Sequence, residues 1–149
     1  MKALRRGGRA MTNRWCFLLI GLLSLNATPV LAAAPVAGRA VVIDGDTFDI
    51  GRSRIRVLGV DAPERAQPCT DAKRQAWSCG LRSGEALRVW LGTSSVRCTA
   101  AYQDRGGRFV ARCTAHGRDI GDWLVTNGWA LDYPRYSDGA YRNAEQSAR

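Results

Sequence analysis

Four short motifs, separated along the chain, contain the side chains that could do chemistry together. Residues 44–47 read Asp-Gly-Asp-Thr, residues 61–64 read Asp-Ala-Pro-Glu, Arg56 lies between them, and residues 104–108 read Asp-Arg-Gly-Gly-Arg. Carboxylates can bind a hard cation such as Ca²⁺ and activate a water molecule. Arginines can stabilise negative charge on non-bridging phosphate oxygens. Together these residue types predict hydrolysis of a phosphodiester bond.

Each motif by itself also has an ordinary structural interpretation. An Asp-Gly-Asp-Thr segment is most often a turn, and the proline of residues 61–64 ends a strand. Arg56 alone would be an exposed strand residue paired with a neighbour, and residues 104–108 alone would be a hairpin loop. Because all four occur in one order at the ends of predicted strands, we interpret them as parts of one site.

The elements that must position these motifs are strands in the first half of the chain. Residues 40–43, 48–50 and 54–60 are apolar or alternating runs separated by turn residues, which is typical of strands. In the third run, Ile55 and Arg56 face opposite sides. The acidic motifs therefore follow the ends of predicted strands, where their side chains can converge.

The second half of the chain predicts a hairpin and helices. Residues 96–102 and 108–114 form the two arms of the hairpin. Three segments predict helices: residues 84–91, a segment that begins at Asp119 or Gly121 and ends at Gly128, and residues 141–149. Strands followed by helices, with one helix inserted, predict an α+β fold, a small twisted barrel with helices packed on it. Three tryptophans are predicted to pack in or near its core: Trp90, Trp123 and Trp129.

The first 34 residues have the pattern of an export signal. Five basic residues and no acidic ones accompany an apolar run at residues 16–25, and small residues follow it. The run is shorter than the roughly 20 residues that cross a bilayer, although a single membrane anchor is the alternative. We predict a signal peptide at residues 1–34 and one domain at residues 35–149. The protein would be periplasmic or extracellular, with no stable membrane insertion after cleavage.

The charge of the chain favours an anionic partner. The whole chain has a formal net charge of +9, and residues 35–149 keep 17 basic against 13 acidic residues. All of these basic residues except Lys73 are arginines, whose planar fork can donate two hydrogen bonds to one phosphate. A modest positive charge fits nucleic acid, although many secreted proteins are mildly basic.

The cysteines predict disulfides. One of the five cysteines lies in the predicted signal, and an even number remains, which in an exported chain indicates pairing with three possible connectivities. A two-residue turn at residues 105–106 would place Cys98 opposite Cys113. That pairing leaves Cys69 with Cys79.

A zinc site is the alternative use of these cysteines. The sequence contains no C-x-x-C pair, and His116 is the one histidine. A structural zinc site needs four such ligands at characteristic spacings. We therefore favour disulfides and give His116 no role.

In this order the motifs resemble the staphylococcal nuclease (thermonuclease) family. The resemblance rests on residues 42–47, 56–64, 104–108 and the Leu-Val-x-x-Gly-Trp-Ala run at 124–130, and it covers about residues 39–145. It implies a five-stranded OB-type β-barrel with about three helices. It also implies Ca²⁺-dependent cleavage of DNA and RNA that leaves 3′-phosphate ends.

The resemblance implies a metal site and a general base. Asp46 and Asp61 match the calcium carboxylates, and Ala62 matches a position that contributes only its backbone carbonyl. Glu64 matches the residue usually assigned as the general base. It would take a proton from a water that attacks phosphorus opposite the departing 5′-oxygen.

The resemblance also implies the residues that contact substrate. Arg56 and Arg108 match the pair that binds the phosphate and stabilises the five-coordinate transition state. Tyr133 and Tyr136 fall where family members stack a nucleotide or contact its phosphate. Stacking on aromatic faces gives affinity with little sequence preference.

Two features depart from the family pattern. Gly106 and Gly107 stand where an aromatic residue usually precedes Arg108, which predicts a looser grip on substrate or a tighter hairpin. The chain ends at Arg149, before the Gly-Leu-Trp closure of the family's last helix. We expect either that the disulfides compensate or that the sequence is truncated.

Three functions compete on the sequence alone. The leading interpretation is an exported, monomeric, Ca²⁺-dependent nuclease acting on single-stranded or frayed DNA and on RNA. The alternatives are a non-catalytic OB-type module that binds nucleic acid or protein, and a disulfide-stabilised structural domain whose stability Ca²⁺ does not change. The presence of Glu64 favours the enzyme, because a pure binding module has no need of a general base.

Overall fold

The computed structural model describes residues 34–149, and nearly all of the predicted export signal lies outside them. The elements within these residues are, in chain order, β1 (Val36–Val42), β2 (Thr47–Ile50), β3 (Ser53–Val57), β4 (Val60–Asp61), β5 (Cys69–Thr70), β6 (Ala76–Trp77), α1 (Cys79–Leu91), β7 (Ser95–Gln103), β8 (Phe109–Ala115), β9 (Arg118–Asp119), α2 (Ile120–Thr126), β10 (Leu131–Asp132), α3 (Pro134–Ser137) and α4 (Arg142–Ala148). Among the described residues, no helix has the length and apolar character needed to cross a membrane.

Five strands close into a barrel. The main sheet has the order β3-β2-β1-β7-β8-β9, and β3 also pairs with β8. This last pairing is parallel, with Ile55 opposite Phe109. Closure removes the open edges that a flat sheet would leave. The predicted α+β fold with a five-stranded OB-type barrel is therefore confirmed.

The barrel core follows the alternation of the strands. On β3, Ile55 and Val57 are buried while Arg56 between them is half-exposed on the other face. The largest fully buried side chains include Phe48 and Leu87. Each such side chain contributes about 1.5–3 kcal/mol relative to its exposed state. The predicted inward and outward faces of β3 are confirmed.

The tryptophans pack at the margin of this core, as predicted. Trp90, Trp123 and Trp129 are partly buried against it. Trp90 on α1 stacks on Trp123 of α2, with ring centroids 4.4 Å apart. His116 lies beside them in a turn with φ +53°, and its Nε2 is 2.9 Å from the backbone oxygen of Trp90.

The predicted end of the third strand is wrong. It was expected to reach residue 60, but β3 stops at Val57 and the chain resumes as β4, which pairs with β10. Gly59 has φ +79°, and a Cβ there would lie 2.8 Å from the Cα of Ser137. This left-handed, closely packed position breaks the strand. The break separates Asp61 from the barrel strand that carries Arg56.

The hairpin differs from its predicted form by one residue. The backbone N–H of Asp104 donates to the carbonyl of Arg108 over 2.9 Å, so the loop has three residues and not the predicted two. The extra residue is absorbed between Ala100 and Tyr102, where the register shifts. Such bulges insert one residue into one strand of a pair.

Both predicted disulfides are present. Because the bulge restores the register, Cys98 pairs with Cys113 across β7 and β8, with Cα atoms 4.1 Å apart. Cys69 is bonded to Cys79, with Cα atoms 5.5 Å apart. These four sulfurs are therefore not free to hold zinc.

Four helices are found in the described residues where about three were expected. Asp119, one of the two predicted starting points, caps α2 by accepting a hydrogen bond of 2.9 Å from the N–H of Asp122. The unpredicted helix is α3, a single turn that begins at Pro134. Proline suits the first position of a helix because its φ is already fixed near the helical value.

Candidate active site

One arginine joins two carboxylates at the end of the barrel. The Nη2 atom of Arg56 lies 3.0 Å from Oδ2 of Asp46 and 3.1 Å from Oδ1 of Asp61. Asp46 directly precedes β2 and Asp61 ends β4, so three separate strands meet at this point. The structure thus brings together three of the residues that the sequence assigned to one site.

Asp46 is a buried carboxylate, and its neighbours only partly offset the cost of removing its charge from water. It is 3% exposed, and its oxygens accept hydrogen bonds from the Thr47 hydroxyl (2.9 Å) and the Ala62 backbone N–H (3.4 Å). Burial nevertheless raises the pKa of Asp46 to about 6, against the opposing effect of the Arg56 charge. The cost of burying the charged carboxylate exceeds the stabilisation from the one nearby guanidinium. A further positive charge beside Asp46 would therefore stabilise its ionised form.

Close packing determines the backbone around Asp46. A Cβ on Gly45 would collide with the Ser83 hydroxyl of α1 and lie 2.7 Å from the Cβ of Ala62. The acidic turn therefore sits directly against both α1 and the second acidic motif. Glycine at position 45 is required by this contact.

The oxygen atoms available here suit a hard cation. Among residues 34–149, no group of three or more His, Cys, Asp or Glu side chains is spaced to hold a metal ion. The Asp46 and Asp61 carboxylates, which both contact Arg56, are the side-chain oxygens that could hold a cation here, and the Ala62 carbonyl remains a predicted ligand. An all-oxygen set fits Ca²⁺, which takes six to eight oxygen ligands, and does not fit zinc.

Arg108 is held by the hairpin loop that precedes it. Its Nε lies 2.8 Å from Oδ2 of Asp104, and its backbone N–H donates to Oδ1 of the same side chain over 3.0 Å. The N–H of Gly106 donates to that oxygen as well, over 2.9 Å. The side-chain hydrogen bond from Arg108 is the main reason that the pKa of Asp104 is lowered. The loop that replaces the usual aromatic residue thus anchors the arginine.

A cleft of about 560 Å³ contains both arginines and several tyrosines. Tyr133, which directly precedes α3, and Tyr136, within it, lie edge to face with ring centroids 5.0 Å apart. They are 40% and 44% exposed. Guanidinium groups beside exposed aromatic rings can take the phosphates and the bases of one polynucleotide strand.

The structure of residues 34–149 records no polar contact between the Glu64 side chain and these two groups. It belongs to the segment of residues 62–78 between β4 and α1, called here the Glu64 loop. Glu64 is exposed, and within the described part of the chain its carboxylate forms neither a hydrogen bond nor an ion pair. It follows Asp61 by three residues, which keeps it near the carboxylate cluster along the chain. Its proposed role as a base remains a prediction.

Some functional contacts could not be assigned from the sequence. Thr47 and Asp104 were part of the recognised motifs, but their bonds to Asp46 and Arg108 became evident only in the structure. Tyr102 on β7 also lines the cleft, and it is 44% exposed. An exposed tyrosine on a hairpin strand near two arginines was the signal that could have indicated it.

The chain is similar to two characterised sequences. It is 42% identical over 146 residues to the succinoglycan biosynthesis protein ExoI of Rhizobium meliloti (strain 1021), a match that covers 97% of this chain and 75% of that protein. It is 30% identical over 102 residues to the endonuclease YhcR of Bacillus subtilis (strain 168), covering 62% of this chain and 8% of that protein. The chain thus spans a small part of the endonuclease.

The family comparison agrees with the geometry. The family described as "Staphylococcal nuclease homologue" matches residues 54–149. That region contains Arg56, Asp61 and Arg108 together with the three tyrosines that line the cleft. Since the match covers more than half of the sequence and includes these residues, the chain belongs to the staphylococcal nuclease family.

Proposed function

We propose that this protein is a Ca²⁺-dependent nuclease that hydrolyses single-stranded DNA and RNA to products with 3′-phosphate ends. The observation that carries the proposal is the position of Arg56. Its guanidinium contacts the buried Asp46 and the exposed Asp61, and it also lines the cleft that contains Arg108. One residue therefore links an oxygen-rich cation site to an anion-binding groove.

The cleft favours a single strand over a duplex. Tyr133 and Tyr136 are exposed at its wall, and the guanidinium of Arg135 lies 5.6 Å from the ring centroid of Tyr136. Unstacked bases can lie against such rings, and every base offers a suitable face. Binding would therefore tolerate many sequences, while the arginines hold the backbone phosphate.

In the proposed mechanism, Glu64 accepts a proton from the attacking water. Arg56 and Arg108 stabilise the additional negative charge on the non-bridging oxygens as the 5′-oxygen departs, which leaves the phosphate on the 3′ side. When bound, Ca²⁺ would act as a Lewis acid and orient the water; Asp46, Asp61 and the Ala62 carbonyl would hold it. Removal of one transition-state arginine would cost on the order of 10³ in rate.

The proposal includes export and a monomeric state. Residues 1–34 would direct secretion and be removed, which leaves residues 35–149 as the active domain in the periplasm or outside the cell. Two disulfides within a small domain support this location, because such bonds persist in oxidising compartments.

The decisive experiment measures cleavage of denatured DNA by the purified, oxidised protein in Ca²⁺ and in excess chelator. Glu64→Gln removes the proposed base without changing side-chain size. Glu85→Gln is the matched control, because Glu85 is an exposed α1 residue paired with Arg88. We expect cleavage that requires Ca²⁺, falls to a low residual rate in Glu64→Gln and persists in Glu85→Gln, with 3′-phosphates on the products.

A different result would support the non-catalytic alternative. If the protein binds denatured DNA but never cleaves it, and Ca²⁺ changes neither binding nor thermal stability, the domain is a binding module. Cleavage by Glu64→Gln at the wild-type rate would instead keep the nuclease and remove Glu64 as its base.

A further inference from the structure

The backbone of Glu64 is held on both sides by one residue. The N–H of Glu64 donates to the side-chain Oε1 of Gln67 over 3.2 Å, and the N–H of Gln67 donates to the Glu64 carbonyl over 2.7 Å. Gln67 thus satisfies the donor and the acceptor of the same residue. These contacts fix the peptide groups from which the Glu64 side chain extends.

Gln67 is itself attached to the start of α1. The N–H of Gly80 donates to the Gln67 carbonyl over 3.3 Å. A Cβ on Gly80 would collide with the Glu64 carbonyl oxygen and lie 2.6 Å from its carbonyl carbon. The preceding residue, Cys79, is bonded to Cys69, two residues after Gln67. Gln67 therefore connects Glu64 to α1, and the neighbouring disulfide between Cys69 and Cys79 strengthens this connection.

The rest of the Glu64 loop gives Glu64 little support from packing. Residues 64–78 are all exposed except Cys69, which is half-buried. A loop with so little buried surface cannot hold a side chain by packing. A catalytic group must nevertheless stay close to its productive position, because an error of about 1 Å can cost on the order of 100-fold in rate.

We propose that Gln67 is a positioning residue that orients Glu64 for proton transfer. This inference rests on the proposed function, in which Glu64 is the general base. The contacts of Gln67 with the Glu64 backbone mean that it would act through the position of Glu64. The effect of its loss should therefore appear in kcat and disappear when Glu64 can no longer act as a base.

The test replaces the amide of Gln67 in two ways. Gln67→Met keeps the length of the side chain and removes the acceptor, whereas Gln67→Glu keeps an acceptor oxygen for the Glu64 N–H. With denatured DNA and Ca²⁺, we expect Gln67→Met to lower kcat by about 10- to 100-fold with KM changed less than about twofold. Gln67→Glu should recover most of that loss, and both variants should unfold at nearly the wild-type temperature.

A double-mutant cycle with Glu64→Gln separates this inference from the proposed function. If Gln67 acts through Glu64, adding Gln67→Met to Glu64→Gln produces no further loss of the residual rate. An equal further loss in the Glu64→Gln background, or an unchanged kcat in Gln67→Met alone, would overturn the positioning role. Wild-type activity in Glu64→Gln would instead refute the base assignment, whatever Gln67 does.

Discussion

The barrel and the Glu64 loop support the proposed chemistry in different ways. Arg56 lies on β3, which pairs with strands on both sides, and Arg108 directly precedes β8. Each arginine also has a carboxylate partner. The Glu64 loop is mostly exposed, contains two strands of two residues each, and is closed by one disulfide. The proposed charge-stabilising residues thus lie in the well-supported region, and the proposed base lies in the weakly supported one.

The largest expected effect comes from the barrel side. Arg56→Ala should lower kcat by about 10³-fold, since the proposed role of Arg56 is to stabilise transition-state charge. Arg54→Ala is the matched control, because Arg54 lies on the same strand but is exposed and bonded to Asp49. Rates on denatured DNA in Ca²⁺ would measure both. Equal rates for the two variants would contradict the assignment of Arg56.

Removal of the barrel disulfide, Cys98–Cys113, tests the stability of the barrel and leaves the Glu64 loop unchanged. Replacing Cys98 and Cys113 together by alanine should lower the free energy of unfolding by about 3 kcal/mol, because the bond restricts the unfolded chain. Denaturant melts measured under oxidising conditions would give this value. We expect kcat well below the melting temperature to stay within about twofold of wild type. A large fall in kcat would show that the arginines depend on this bond.

The buried charge of Asp46 predicts a pH dependence in the absence of Ca²⁺. Its pKa is raised, so the folded state prefers the neutral acid, and stability is lost as pH rises from about 4 through about 6. The charges near the group are Arg56, Asp44 and Asp61. Relative to Asp46→Asn, the wild type should lose about 2–3 kcal/mol between pH 4 and pH 7 in chelator. Parallel stability curves for the two proteins would contradict this account.

The loop disulfide gives the smallest expected effect and the sharpest contrast. Replacing Cys69 and Cys79 together by alanine should lower kcat about tenfold, because the connection from α1 to Glu64 is loosened. KM should change little, since the cleft tyrosines and arginines lie outside the loop. Kinetics of this pair beside the barrel pair would check it. An equal change of kcat on removal of either disulfide would contradict the proposed difference between the barrel and the Glu64 loop.

The sequence predicted those features that depend on local pattern. The alternation around Ile55 determined which face of β3 is buried. The start of α2 was predicted at Asp119 or Gly121, and the capping side chain of Asp119 decides between them. The pairing of Cys98 with Cys113 was also predicted, although from a turn one residue too short. The bulge at Ala100 to Tyr102 corrected that error, and nothing in the local sequence indicates it.

Features that depend on contacts between distant segments could not be predicted. The end of β3 is determined by the approach of Ser137 to Gly59. The link between Gln67 and Gly80 arises because the loop folds back onto α1. Conversely, the convergence of Asp46, Arg56 and Asp61 was predicted, because strand ends bring together motifs that are separate in the chain.

The disulfide between Cys69 and Cys79 has a consequence for the cell that makes this protein. A thiol pair stays reduced in a cytosol and is oxidised after export. We expect a newly made chain to carry its arginines on a barrel while Glu64 is not yet held in place. On the proposed function and export, the enzyme would be less active inside the cell, beside the cell's own genome and messenger RNA, than after it has left.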